Sequence, residues 1–260
     1  MGGKPSWVAT LEVEKFYSSV IDEWMNTMFL ETLLAAVVGI NATELTIQIV
    51  REQTQAVVSE YEVKGLRVQV AKVEVNNPSP LLTRASPSTC TIMLNTNSTA
   101  KVVWGKFVDT KEPSEELALQ AFSMAHEMGH CLLSKARKNE VSLPVLSAQL
   151  KSHVNGQASE LSTLVGRRVS PGSEDRYDET FSDLLGLHYV AKKHPEQFNL
   201  VVEKLKAVRE EFAHHDISHL STPFLSGQNL RLVDMFLSQL NGKNTENSFL
   251  QAASKKLEQI

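Results

Sequence analysis

Ala121-Phe-Ser-Met-Ala-His126-Glu127-Met-Gly-His130-Cys131 carries two histidines four positions apart, with a glutamate beside the first. On a helix, positions four apart lie one turn apart on the same face. Two imidazoles so placed can share one tetrahedral zinc ion. Glu127 can reach a water at that ion and serve as general base. The surrounding residues predict the helix itself. Leu117, Ala121, Met124, Ala125, Met128 and Leu132 recur at three- and four-residue steps, a buried stripe on a helix over 115–135. Ser114 is suited to cap its start. Gly129 is costly inside a helix, which predicts that a strand or a substrate passes close to it.

Upstream the pattern is that of a sheet. Leu66–Val75 is rich in valine, with a phase slip near Ala71 that suggests a bulge. Asn76-Asn-Pro-Ser-Pro80 reads as a loop. Cys90–Leu94 alternates like a strand, and Lys101–Val108 reads as another. Joined through the turn at 95–99, the two predict a hairpin. Further upstream, Val13, Phe16, Tyr17, Val20, Ile21, Trp24 and Met28 predict a helix over 8–38. Asn41-Ala-Thr-Glu44 resembles a capping box that opens a helix to about Glu60, with a strand at Thr46–Val50 as the alternative.

Downstream the chain reads as mostly helical. An interrupted helix is expected over 142–168 and another over Glu174–Lys193, stopped by Pro195. Helices follow at 196–213, 229–240 and 245–258. The expected class is α+β, a small mostly antiparallel sheet followed by an active-site helix and a largely helical remainder. The expected parts are a helical segment at 1–62, the sheet with its active-site helix at 63–140, and a helical subdomain at 141–260.

A catalytic zinc needs a third protein ligand and an open position. Glu179, Asp183, His153, His188 and His194 are the candidates. Glu179 is favoured because Asp183 stands one helical turn further on. A carboxylate there can accept the spare N–H of a ligand histidine and fix its ring. Gly186 on the same helix would let the two helices approach closely.

His-Glu-x-x-His followed by Glu-x-x-Ser-Asp on a later helix resembles the gluzincin clan of zinc peptidases. Glu179-Thr-Phe-Ser-Asp183-Leu-Leu-Gly186 looks most like the branch of the CAAX-prenyl endopeptidases and the bacterial heat-shock membrane peptidases. The resemblance covers two helices. It implies a zincin-like fold, zinc on His126, His130 and Glu179, and Asp183 as the partner of a ligand histidine. It also implies an oxyanion donor after the glutamate helix. His219 is the first candidate, oriented by Asp216, with His214, His215, Tyr177, Tyr189 and Arg231 as competitors. The segment His219-Leu-Ser-Thr-Pro-Phe is similar to a Ser-Thr-His-Pro segment of that branch but lacks its internal histidine. A substrate backbone held on an edge strand at 90–95 or 101–108 is implied as well.

A protein or peptide substrate is expected with that resemblance, and the bulk properties argue against a nucleic-acid surface. The 260 residues carry a formal charge of −4 with a pI near 6.1, and no run of basic residues. No apolar run is long enough to span a membrane. Cys90 and Cys131 are expected as reduced thiols, Cys131 in the core, and a cytoplasmic location is expected with them. The expected function is a zinc metallopeptidase. The alternative is a non-enzymatic protein in which the zinc is structural, against which Glu127 stands, since a structural site has no use for a base.

Overall fold

The computed structural model describes residues 45–61, 65–86, 88–146, 174–213, 221–241 and 249–259. The expected helix at 8–38, the capping box at 41–44 and nearly all of the expected 142–168 helix lie outside them. Helix α1 (Ile47–Tyr61) begins where the Thr46 hydroxyl accepts the Ile49 N–H at 3.2 Å. It buries Val50, Thr54, Val57 and Tyr61 at three- and four-residue steps. The burial period is helical, so the strand alternative at Thr46–Val50 falls away.

Three strands follow, β1 (Arg67–Val73), β2 (Leu81–Ala85) and β3 (Thr89–Asn95), in the order β1-β3-β2. β1 runs parallel to β3 and β2 antiparallel to it. The sheet is therefore mixed, a correction to the mostly antiparallel expectation. Its register from Arg67↔Thr89 to Val73↔Asn95 is uninterrupted, so β1 has no bulge at Ala71. The loop after β1 is organised by Asn95. Its side-chain amide donates to the carbonyls of Val75, Asn77 and Ser79, and its oxygen accepts from the N–H groups of Val75 and Asn97.

The expected strand at Lys101–Val108 is instead helix α2 (Ser98–Val108). The Asn97 side chain caps it, accepting the Thr99 N–H at 2.8 Å. Ala100, Trp104 and Val108 are buried at four-residue steps. That spacing outweighs the strand preference of Val102 and Val103, and the hairpin expected with β3 does not form.

Helix α3 (Pro113–Lys138) opens with Pro113 in its first turn. Glu112 occupies the cap position, without a side-chain bond, in place of the expected Ser114. Glu115 and Glu116 in the first turn and Lys135, Arg137 and Lys138 in the last suit the helix dipole. Leu117, expected in the buried stripe, is 42% exposed. Residues 141–146 are not helical.

α3 packs along helix α4 (Glu174–Lys193), which ends before Pro195 as expected. A Cβ on Gly129 would stand 2.6 Å from the Ser182 Cα, and one on Gly186 2.6 Å from the Phe122 ring. Gly186 thus allows the close approach expected of it. What passes close to Gly129 is α4, not a strand or a substrate. Helices α5 (Phe198–Ala213), α6 (Gly227–Asn241) and α7 (Phe249–Gln259) complete the described fold. It is mixed α+β, mostly helical, with one small sheet. None of the described helices is long and apolar enough to cross a membrane.

Cys90 on β3 and Cys131 on α3 are joined by a disulfide, with Cα atoms 5.6 Å apart and both side chains fully buried. This corrects the expectation of reduced thiols. Packing of α3 against β3 brings together two residues whose separation in sequence carries no pairing signal.

Candidate metal centre

α3 presents His126 and His130 to α4, which presents Glu179. The His126 Nε2 and His130 Nε2 atoms are 3.3 Å apart. Glu179 Oε2 lies 3.6 Å from the first nitrogen and Glu179 Oε1 3.6 Å from the second. Ligands about 2.0–2.1 Å from a tetrahedral zinc stand about 3.3–3.4 Å from one another. The two nitrogens have that spacing and one Glu179 oxygen stands near each, so these three residues can hold a metal ion.

Asp183 sits one turn beyond Glu179 and is fully buried. Its Oδ1 is 2.8 Å from His126 Nδ1. That contact leaves His126 Nε2, on the ligand side, with its lone pair. Arg209 of α5 locks both carboxylates. Its Nε donates to Asp183 Oδ2 at 2.8 Å, and its Nη2 donates to Asp183 Oδ1 at 2.7 Å and Glu179 Oε2 at 3.1 Å. The Ser221 hydroxyl donates a further bond to Asp183 Oδ2 at 2.5 Å.

The electrostatics follow from this packing. Burial pushes the Asp183 carboxyl up, but Arg209 and His126 outweigh it and hold the group far below its ordinary value. Burial likewise opposes ionisation of Glu179, while His126, Arg209 and His130 bring its pKa below normal. Burial disfavours the charged form of His126, yet the hydrogen bond and charge of Asp183, with Glu179, raise it above 6.5. His130 is lowered by burial and by His126. Burial favours a neutral Arg209, but the adjacent carboxylates raise its pKa and keep it charged.

Glu127 is mostly buried beside the triangle. Its Oε2 accepts the Thr83 hydroxyl of β2 at 2.5 Å. β2 is an edge of the sheet, and among the described residues no strand pairs with its outer side. This corrects the substrate-strand expectation, because 90–95 is the central strand and 101–108 is helix α2.

Of the residues singled out in the sequence, His126, Glu127, His130, Glu179 and Asp183 come together. His188 does not join them. Its Nδ1 is 3.1 Å from the Tyr61 hydroxyl and its Nε2 3.0 Å from Asp234 Oδ1, in a buried cluster between α1, α4 and α6. His194 occupies the position before the short turn that follows α4, without a side-chain cap bond. Among the competing oxyanion donors, Tyr177 donates to the Pro144 carbonyl at 2.8 Å, and Tyr189 packs edge-on against Tyr61. Arg231 donates to the Gly227 carbonyl of its own helix at 3.4 Å. His153, His214, His215, Asp216 and His219 lie outside the described residues. Arg209, Ser221 and Thr83 had no sequence signal. Arg209 follows Lys204 and Lys206 on a helix whose charges read as a solvated face.

No known protein family, no curated protein and no solved structure matches this chain.

Proposed function

We propose that the chain is a zinc-dependent metallopeptidase with a gluzincin-type site on a zincin-like fold. The observation that carries this reading is the His126–His130–Glu179 triangle with Asp183 on the back of His126. Two imidazoles and one carboxylate suit zinc. The local charge points to a divalent ion. Among the described residues, three carboxyl groups (Glu127, Glu179 and Asp183) lie near one guanidinium, which pairs with the last two, in a largely buried place.

A zinc ion bound there would acidify water and polarise a scissile carbonyl. The residues supply the rest. Glu127 takes the proton of the attacking water as its oxygen joins the carbonyl carbon. Glu127 then passes that proton to the amide nitrogen as the C–N bond breaks. Asp183 holds the His126 tautomer, and Arg209 holds Glu179 and Asp183. An extended peptide chain is the substrate best suited to the site, because β2 offers an edge for strand addition next to Glu127.

The test is metal content and peptide-library cleavage of wild type beside Glu127→Gln and Glu179→Ala. Glu127→Gln keeps one zinc per chain and loses hydrolysis; Glu179→Ala loses the zinc. Full activity in Glu127→Gln overturns the mechanism. Tightly held zinc in Glu179→Ala overturns the choice of ligand.

A further inference from the structure

We infer that Thr83 is a positioning residue for Glu127, fixing which carboxylate oxygen faces the reacting water. The inference rests on the peptidase reading and adds to it a residue from outside the two motif helices. The Thr83 Oγ1 lies 2.5 Å from Glu127 Oε2 and 3.4 Å from the Glu127 main-chain oxygen. The hydroxyl has one proton, which the shorter contact to the carboxylate takes, with the main-chain oxygen a longer second approach. Among the described residues, Glu127 Oε1 has no hydrogen-bond partner. The arrangement is therefore asymmetric, with one oxygen engaged by β2 and the other left for chemistry.

The terminal torsion of a glutamate is broad, so an unrestrained carboxylate would sample many orientations. A general base acts only within hydrogen-bond reach and proper alignment of the proton it takes. A hydroxyl donor to one oxygen selects the orientation before substrate arrives. A hydroxyl bond to a carboxylate is stronger than one between neutral groups. The Thr83 main chain is fixed independently. Thr83 pairs with Ile92 of β3, and Ile92 is fully buried. The hydroxyl thus stands on a rigid support rather than on a loop. Because Thr83 also belongs to an edge strand, a peptide added to β2 would be set in register with Glu127 through one residue.

The experiment uses the full chain loaded with zinc or cobalt, and acetohydroxamate as the probe. A hydroxamate chelates the ion and passes its hydroxyl proton toward the neighbouring base, so its affinity reads the orientation of Glu127 without needing the natural substrate. Thr83→Val keeps the shape and removes the donor; Thr83→Ser restores it. Thr83→Val is expected to hold one metal per chain and keep a single cooperative unfolding transition, with a urea midpoint lowered by the lost hydrogen bond, and to bind acetohydroxamate about tenfold more weakly. Thr83→Ser is expected within about twofold of wild type. In a Glu127→Gln background, Thr83→Val is expected to have no further effect. Where peptide cleavage is followed, kcat falls and KM stays.

Wild-type affinity in Thr83→Val overturns the inference alone and leaves the peptidase reading standing. The same loss with and without Glu127 also overturns it, by showing that Thr83 acts elsewhere. Undiminished hydrolysis in Glu127→Gln overturns the inference together with the mechanism beneath it.

Discussion

Arg209 meets Asp183 with two hydrogen bonds, Nε to Oδ2 at 2.8 Å and Nη2 to Oδ1 at 2.7 Å. The same Nη2 reaches Glu179 at 3.1 Å. One guanidinium from α5 thereby holds the third ligand and the carboxylate behind His126. Arg209→Met leaves both acids without their cation, in a place where neither is well hydrated. Breaking a buried pair this way costs about 3–5 kcal/mol. Removing a group that orients ligands typically lowers metal affinity about 10–100-fold. Both effects are expected, the first in urea unfolding and the second in zinc competition with a chelator. Arg209→Lys retains the charge but not the two-pronged geometry, and falls between. A zinc affinity in Arg209→Met equal to wild type would remove Arg209 from the site.

The pH dependence of metal binding follows from the opposite shifts of the two histidines. A ligand nitrogen must lose its proton before it can bind a metal. His130 is lowered and Glu179 is lowered, so both are ready at neutral pH. His126 is raised above 6.5, with burial opposing and Asp183 prevailing. Protons therefore compete with the metal first at His126. Affinity measured against pH should fall as pH drops, and the bend should lie above 6.5. Asp183→Asn removes the charge that raises His126. Its bend should move to lower pH, even though its affinity at high pH is weaker. A bend that stays in place in Asp183→Asn would show that another group governs metal release.

The parts of this site legible in the sequence are those written in helical spacing. His126 with His130, and Glu179 with Asp183, are each four apart on amphipathic stretches, so each pair announces a shared face. Gly186 was readable for the same reason. What was not readable depends on contacts between distant segments. Arg209 looks like any arginine on a charged helix until α5 is packed on α4. Thr83 lies in Leu81-Leu-Thr-Arg-Ala85, too short a stretch to show the period of a strand. The pairing of β1 with β3 is parallel, which no local turn specifies. The Cys90–Cys131 pair likewise follows from packing alone.

Two glycines give opposite predictions under the same substitution. Alanine is preferred to glycine in a helix interior by about 1 kcal/mol. Gly105 lies inside α2 with nothing within 4 Å of an added Cβ. Gly105→Ala should therefore stabilise the protein by up to about 1 kcal/mol, or roughly 2–4 °C in Tm for a chain of this size. A lowered Tm would restore the strand reading of 101–108. At Gly129 the added Cβ would lie 2.6 Å from both the Cα and the Oγ of Ser182. The Cα is backbone of the helix that carries Glu179, so it can yield only if α4 moves away from α3. Overpacking of this kind costs about 1–3 kcal/mol, enough to cancel or exceed the gain in helix preference. Gly129→Ala should lower Tm. Because the shift separates His126 and His130 from Glu179, it should also weaken zinc in the same competition assay. A Gly129→Ala protein with wild-type Tm and wild-type zinc affinity would show that the close approach of α3 and α4 does not set the ligand spacing.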